Sequence, residues 1–248
     1  MALHVHVGVP DPEDAVRLLN GLRRHVPVLL ALSANSPFWQ GRDCGFASTR
    51  TVIFQAFPRT GLPPYFAGYA DYVEALDALF ASGALPDPTY LWWDVRLQPA
   101  LGTVEVRVMD AQTRVSEVTP LVALIQSLAR LELEGDASKA VPGAAVLAEN
   151  RFLAARDGMD ARVIDPAAGG LIPIRGLLGS MLADCRPHAL ALGCADALDK
   201  VPGLAAANGA DRQRAIAAGH RRLESLVASL AQQFQGDGPS PPAPPARV

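Results

Sequence analysis

Near the start of the chain two histidines, His4 and His6, lie in the alternating run Leu3-His-Val-His-Val-Gly-Val9. Period-two alternation with valine spacers predicts a strand over 3–9 with both imidazoles on one face, about 7 Å apart. Such a pair can offer one nitrogen to a metal and another to a phosphate. The competing reading is an exposed strand face that holds nothing. A second constellation combines opposite charges. Asp94 and Arg96 alternate in Tyr90-Leu-Trp-Trp-Asp-Val-Arg-Leu97, and Thr103, Glu105 and Arg107 alternate in Thr103-Val-Glu-Val-Arg-Val-Met109. If these are hairpin partners, two carboxylates and two guanidiniums share one face. Cross-strand ion pairing explains many such faces. The flanking Val, Leu and Trp residues imply that this one is half-buried, where charge is costly without a purpose. A carboxylate for Mg²⁺ and guanidiniums for phosphate or carboxylate would supply the purpose.

The remaining candidates are weaker on residue type alone. Arg50 and Arg59 stand in or beside turn-rich segments and read as surface arginines. Cys44 has no neighbouring His or helix start and reads as an inert thiol. Trp39, Trp92 and Trp93 read as packing residues. There is no strand–Gly-rich loop–Lys signature, so a nucleotide site here would not be a P-loop.

Positioning these groups requires a sheet and helices behind it. Asp11-Pro-Glu-Asp14 is a helix start, predicting a helix to about His25. Pro27 opens an apolar helix over 28–35, ended by Ser36-Pro37. Residues 36–50 have loop composition, followed by a helix over 47–56 and a turn region at 58–64. A helix over 68–83 carries Tyr72, Ala75, Leu76 and Leu79 on one face. Strands follow at 90–97 and 103–109, joined through Pro99-Ala-Leu-Gly102. Helices are expected at 116–134, 143–157, 174–192, 195–199 and 209–234, with a short hairpin at 161–165 and 171–173. The expectation is an α+β domain over 1–235, an antiparallel sheet with helices on its outer face. A Pro/Gly-rich tail over 236–248 has a composition that cannot bury a core.

Composition narrows the partners. The 248 residues carry 22 basic and 25 acidic side chains, and half are hydrophobic. A sizeable core can form, and the near-neutral balance gives no reason to expect a nucleic-acid or anionic-membrane surface. Three cysteines without metal-ligand spacing, and no visible export signal or membrane span, point to a cytoplasmic protein with reduced thiols.

Taken in order, several segments carry a resemblance: His-Val-His-Val-Gly-Val (4–9), Leu-Ser-Ala-Asn-Ser-Pro-Phe-Trp-Gln-Gly-Arg-Asp-Cys-Gly (32–45), Ser-Thr-Arg (48–50), Phe-Pro-Arg-Thr-Gly-Leu-Pro (57–63), Trp-Trp-Asp-Val-Arg (92–96), Gly-Thr-Val-Glu-Val-Arg-Val-Met-Asp (102–110), Glu-Asn-Arg-Phe-Leu-Ala-Ala-Arg-Asp-Gly (149–158) and Gly-Ala-Asp-Arg-Gln-Arg (209–214). Together they resemble the type 2 glutamate–cysteine ligase, or carboxylate–amine ligase, family. The resemblance implies a glutamine synthetase-like fold whose concave sheet binds ATP and Mg²⁺. It implies an ATP-dependent ligase that joins the γ-carboxylate of glutamate to an amine, usually that of cysteine. It marks His4 and Glu105 as metal ligands, His6 as a phosphate contact, Arg96 and Arg107 as catalytic guanidiniums, and Arg50 as a substrate-carboxylate contact. The family pattern also has an N-terminal strand with a Glu-x-Glu motif. Here the only Glu-x-Glu, Glu132 and Glu134, ends a helix, so the catalytic domain reads as N-terminally truncated. Cys44 stands where the family pattern has Thr. The alternative is a catalytically inactive remnant serving as a binding or oligomerisation module, and an uncovered sheet edge suggests a homodimer.

Overall fold

The structure is a computed structural model that describes residues 1–83, 85–135, 141–219 and 223–236. The chain is α+β, with small sheets, all but one antiparallel, set among helices. At its centre is a three-stranded antiparallel sheet, β1 (Val5–Gly8), β7 (Thr103–Val106) and β6 (Val95–Gln98), in the order β1-β7-β6. The first strand therefore inserts its hydrogen bonds beside a hairpin formed almost a hundred residues later. Its register sets His6 opposite Glu105, and Arg96 faces Glu105 from the other side.

Alternation gives the sheet two unlike faces. Val5, Val95, Leu97, Val104 and Val106 are all buried, and each contributes roughly 1.5–3 kcal/mol through removal from water. This face is backed by α1 (Pro12–Leu22) and α5 (Val115–Glu134). Helix α1 starts where Asp11 accepts a bond from the Asp14 backbone N–H at 2.9 Å, with Pro12 at its first position. Helix α5 buries Leu121, Leu124, Ile125 and Leu128, the i, i+3, i+4, i+7 stripe of a core-facing helix. Behind them α2 (Val26–Ser33) is apolar on every side and buried at every position, so it forms the middle of the helical layer. It packs against α6 (Ala144–Asp157), while α7 (Ile174–Ala191) covers α5.

Beyond the ladder, Ala2 pairs with Asp110, so three steps on the first strand answer four on the segment between Val106 and Asp110. This one-residue bulge ends the alternation expected to run to Met109. Val108, Met109 and Asp110 are all buried.

Several expected elements differ. The strand foreseen over 90–97 is two pieces. β5 (Trp92–Trp93) pairs in parallel with β4 (Thr60–Gly61), and the chain changes partner at Asp94, whose N–H donates to Gly61 O and whose C=O accepts from Arg107 N, both at 2.7 Å. The loop over 36–50 contains a tight hairpin, β2 (Phe38–Trp39) and β3 (Arg42–Asp43), which turns through positive φ at Gln40 and Gly41. It leads into α3 (Thr49–Phe54), capped by the Ser48 side chain. Helix α4 (Tyr69–Ala81) buries Tyr72 and Leu76, but Ala75 and Leu79 face solvent and Val73 and Phe80 pack inward instead. The helix foreseen over 209–234 is two, α10 (Gly209–Ala218) and α11 (Leu223–Gln235). The hairpin β8 (Arg162–Asp165) and β9 (Gly170–Pro173) forms as expected, as does α8 (Ala195–Leu198), while α9 (Val201–Ala206) was not foreseen. Of the tail over 236–248, all but Gly236 lies outside the described residues. Among the described residues no helix is long and apolar enough to cross a membrane.

Candidate functional site

The polar face of the central sheet converges on Glu105, which is only 2% exposed. Its Oε2 accepts from Arg96 Nε at 2.7 Å and from Gln98 Nε2 at 3.1 Å. Its Oε1 accepts from Arg107 Nη1 at 2.6 Å and lies 3.0 Å from His4 Nδ1 and 3.5 Å from His6 Nε2. Burial opposes ionisation of this carboxyl. The bonds from His4, Arg96 and Gln98 and the charge of Arg107 outweigh it and hold Glu105 far below the ordinary carboxylate range. Of the six residues that the resemblance marks, five are thus within one cluster: His4, His6, Arg96, Glu105 and Arg107.

The cluster opens on one side. His4, Arg50 and Arg107 line a cavity of about 530 Å³, with Phe38, Trp39 and Thr49 among its other walls. That is within the usual range for a small-molecule site. Arg50, the sixth residue, is held against the cavity rather than standing free on the surface. Its Nη1 donates to Val108 O at 3.1 Å, its Nη2 to Arg107 O at 3.3 Å, and its guanidinium lies over the Phe54 ring. Burial pulls Arg50 below its ordinary value, against the opposing pull of Asp110. Two residues that line the cavity each bury one polar atom that has no hydrogen-bond partner among the described residues: Arg107 Nε and Thr49 Oγ1. A donor left dry in this way costs free energy unless something binds it.

Arg96 and His6 are turned elsewhere. Arg96 Nη1 donates to Thr89 O and Leu91 O at 2.8 and 2.7 Å, so this guanidinium is spent on Glu105 and the backbone. His6 Nδ1 lies 2.9 Å from Thr103 Oγ1. Arg59 is outside the cluster and donates to Tyr90 O. Cys44 is a free, exposed thiol.

The grouping of Asp94 with Arg96, Glu105 and Arg107 is corrected by the structure. Because the chain changes partner at Asp94, its carboxylate points to α6 and pairs with Arg151, Nε to Oδ2 at 2.5 Å and Nη2 to Oδ1 at 3.2 Å. Arg151 also donates to Gln55 Oε1 at 2.8 Å. Sequence reasoning placed Arg151 in a motif but gave it no role. It likewise missed Asp110, a buried carboxylate that accepts from Asn35 N at 2.8 Å, Ser36 Oγ at 2.7 Å and Ser48 Oγ at 3.0 Å, with Arg50 Nη1 3.7 Å away. Burial pushes Asp110 upward against those bonds. This hub fixes the two loop ends that carry Arg50. A carboxylate following an apolar strand was the only available signal.

An oxyanion fits the cavity: its wall carries an incompletely used guanidinium, a second guanidinium and an imidazole. A divalent cation fits in kind only. Glu105 and His4 could supply one oxygen and one nitrogen, both Glu105 oxygens already accept from guanidiniums, and Mg²⁺ prefers about six oxygens. Among the described residues no group of three or more His, Cys, Asp or Glu is arranged to hold a metal.

Fold and site together define a protein whose buried sheet face gathers guanidiniums around one carboxylate. The sequence profile of glutamate–cysteine ligase family 2 (GCS2) matches residues 1–231, and the chain belongs to this family. It is 44% identical to a protein of Rubrobacter xylanophilus provisionally named glutamate–cysteine ligase 2-1, over 86% of this chain and 57% of that one. It is 42% identical to a second, provisionally named 2-3, from the same organism, over 93% and 62%. A Thermobifida fusca protein, provisionally named glutamate–cysteine ligase 2, is 38% identical over 96% and 61%. The chain therefore spans about three fifths of the length of the curated relatives it matches.

Proposed function

We propose that this chain belongs to an ATP-dependent ligase that joins the γ-carboxylate of glutamate to an amine, with a glutamine synthetase-like sheet as the platform. Cysteine is the acceptor suggested by the relatives' names. The observation that carries the reading is the cavity walled by His4, Arg50 and Arg107, where Arg107 keeps an unpartnered Nε. In the proposed reaction a γ-carboxylate oxygen of glutamate attacks the terminal phosphorus of ATP, and the bond to ADP breaks. The amine nitrogen then attacks the acyl carbon, loses a proton, and phosphate leaves with the electron pair of the broken C–O bond. Such chemistry needs positioned positive charge more than covalent help from the protein. Arg107 is assigned to the transferred phosphoryl group and Arg50 to the glutamate carboxylate. Arg96 holds Glu105 and thereby orients Arg107. His6 is assigned to the nucleotide phosphates from the Thr103 side of Glu105, outside the cavity walled by His4, Arg50 and Arg107. Mg²⁺, held by Glu105 and His4, would supply further neutralisation of phosphate charge.

A second reading has its own support. Both Glu105 oxygens are already occupied, which favours a module that binds an anion without turnover. One assay separates the two. ADP release from ATP and Mg²⁺ that requires both glutamate and cysteine supports the ligase. Release that ignores glutamate, or none at all above a protein-free blank, removes the ligase reading for this chain.

A further inference from the structure

On the opposite side of the sheet, α1, the segment over 62–68 and the start of α6 enclose a cavity of about 1000 Å³. Arg23 lines it and is only 5% exposed. Its Nε is buried without a partner, and among the described residues it makes no ion pair, whereas Asp14, Arg17, Arg24 and Glu132 on that wall are all paired. Asp14 pairs with Arg17 at 3.0 Å, Glu132 with Arg24 at 2.6 Å and with His25 at 2.7 Å, and Glu13 accepts from Tyr69 N at 3.1 Å. Asn20 is bonded both ways to the Phe66 backbone. Arg17 donates from Nη2 to Leu133 O, yet its own Nε is also buried and unpartnered. A buried Nε without a partner costs free energy, and it leaves the rest of the Arg23 guanidinium without a protein counter-ion on the cavity side. Burial accordingly pulls Arg23 below its ordinary value.

The same cavity receives the N-terminus of α6. Gly143 stands at its N-cap and has no side chain with which to cap the first turn. Free N–H groups of a helix start favour an anion. The walls include Val16, Leu62, Pro63, Pro64, Val141 and Pro142, which suit an apolar body. Three carboxylates on the same cavity, Glu13, Asp14 and Glu132, repel a second negative charge.

We propose that this cavity is a second binding site, for a small organic monocarboxylate with an apolar body, anchored by the planar guanidinium of Arg23 and the start of α6. The proposal is independent of the ligase reading. A guanidinium matches a carboxylate in a two-pronged pair, and that pair would give the cavity-facing side of Arg23 the counter-ion it lacks among the described residues.

The test uses the whole chain, with benzoate as probe, benzamide as its neutral isostere, and inorganic phosphate. Benzoate is expected to raise Tm saturably and to bind measurably by calorimetry, above both comparators. The R23M variant is expected to bind benzoate about tenfold or more weakly, while melting at or above the unsubstituted protein in the absence of ligand. R107A, in the other cavity, is expected to keep the benzoate response, which separates the two sites. Equal effects of benzoate and benzamide, a larger effect of phosphate, a benzoate response that survives R23M, or one lost in R107A would each overturn the assignment. Should R23M fail to fold, the benzoate–benzamide comparison on the unsubstituted protein still decides.

Discussion

Two buried carboxylates beside the same sheet lead opposite lives. Asp94 meets a single guanidinium, Arg151, in a two-pronged pair, and both residues are buried. The two charges cancel within the pair. Glu105 meets two guanidiniums, two imidazoles and an amide. One negative charge is shared between two permanent positive ones, and the surplus faces a cavity. A closed pair locks α6 to the sheet. An oversupplied carboxylate holds cations ready for a further anion. Counting partners and asking where the surplus points separates structural charge from charge available for chemistry.

The largest expected effect tests the closed pair. R151A leaves Asp94 buried and unpaired and should cost about 3–5 kcal/mol of stability in urea unfolding, whereas an apolar replacement of both partners, D94L with R151M, should recover most of it. If R151A is nearly neutral, Asp94 is solvated and the contrast fails. The open cluster should behave in the reverse way. R107A should lower glutamate- and cysteine-dependent ADP release ~10²–10³-fold while destabilising the fold less than R151A does. A variant that unfolds but keeps specific activity in its folded fraction would assign Arg107 to structure.

A smaller effect comes from acid. Glu105 is held below its unfolded value, so its contribution is fully present above the unfolded value of 4.5 and is lost as pH falls toward the folded one. Between pH 7 and pH 4 this group alone should remove about 0.8 kcal/mol of stability. E105Q should lose that part of the pH dependence. An unchanged slope in E105Q would show that other carboxyls carry it. The smallest effect is expected at Cys44, exposed and outside the cluster: C44S should leave stability within about 0.5 kcal/mol and ADP release unchanged. Loss of turnover there would extend the open cluster to the β2–β3 hairpin.

Much of the local architecture was legible. Asp11 and Pro12 announced α1, the apolar stripe announced α5, and alternation placed His4 with His6 and Glu105 with Arg107. These are nearest-neighbour effects, set by capping and by the periods of helix and strand. The face of α4 was misjudged because four apolar residues fit more than one helical stripe, and the neighbours Phe66 and Trp93, met through Tyr72 and one another, decided which was buried. The candidate cluster was legible in its members and in their alternation, but not in its exclusions. Asp94 has the right spacing from Arg96 and still leaves the group.

The sequence by itself determined where most of the main helices lie, that residues 3–9 and 103–109 carry strands, and that His4 shares a face with His6 and Glu105 with Arg107. Those follow from backbone sterics and side-chain periodicity within a few residues. Only the tertiary structure decided that β1 pairs with β7, that the chain switches partners at Asp94, that a bulge follows Val106, and that Arg23 has no counter-ion among the described residues. Each of these depends on contacts between segments far apart in the chain, where burial and hydrogen-bond satisfaction are settled jointly and no local pattern carries the answer.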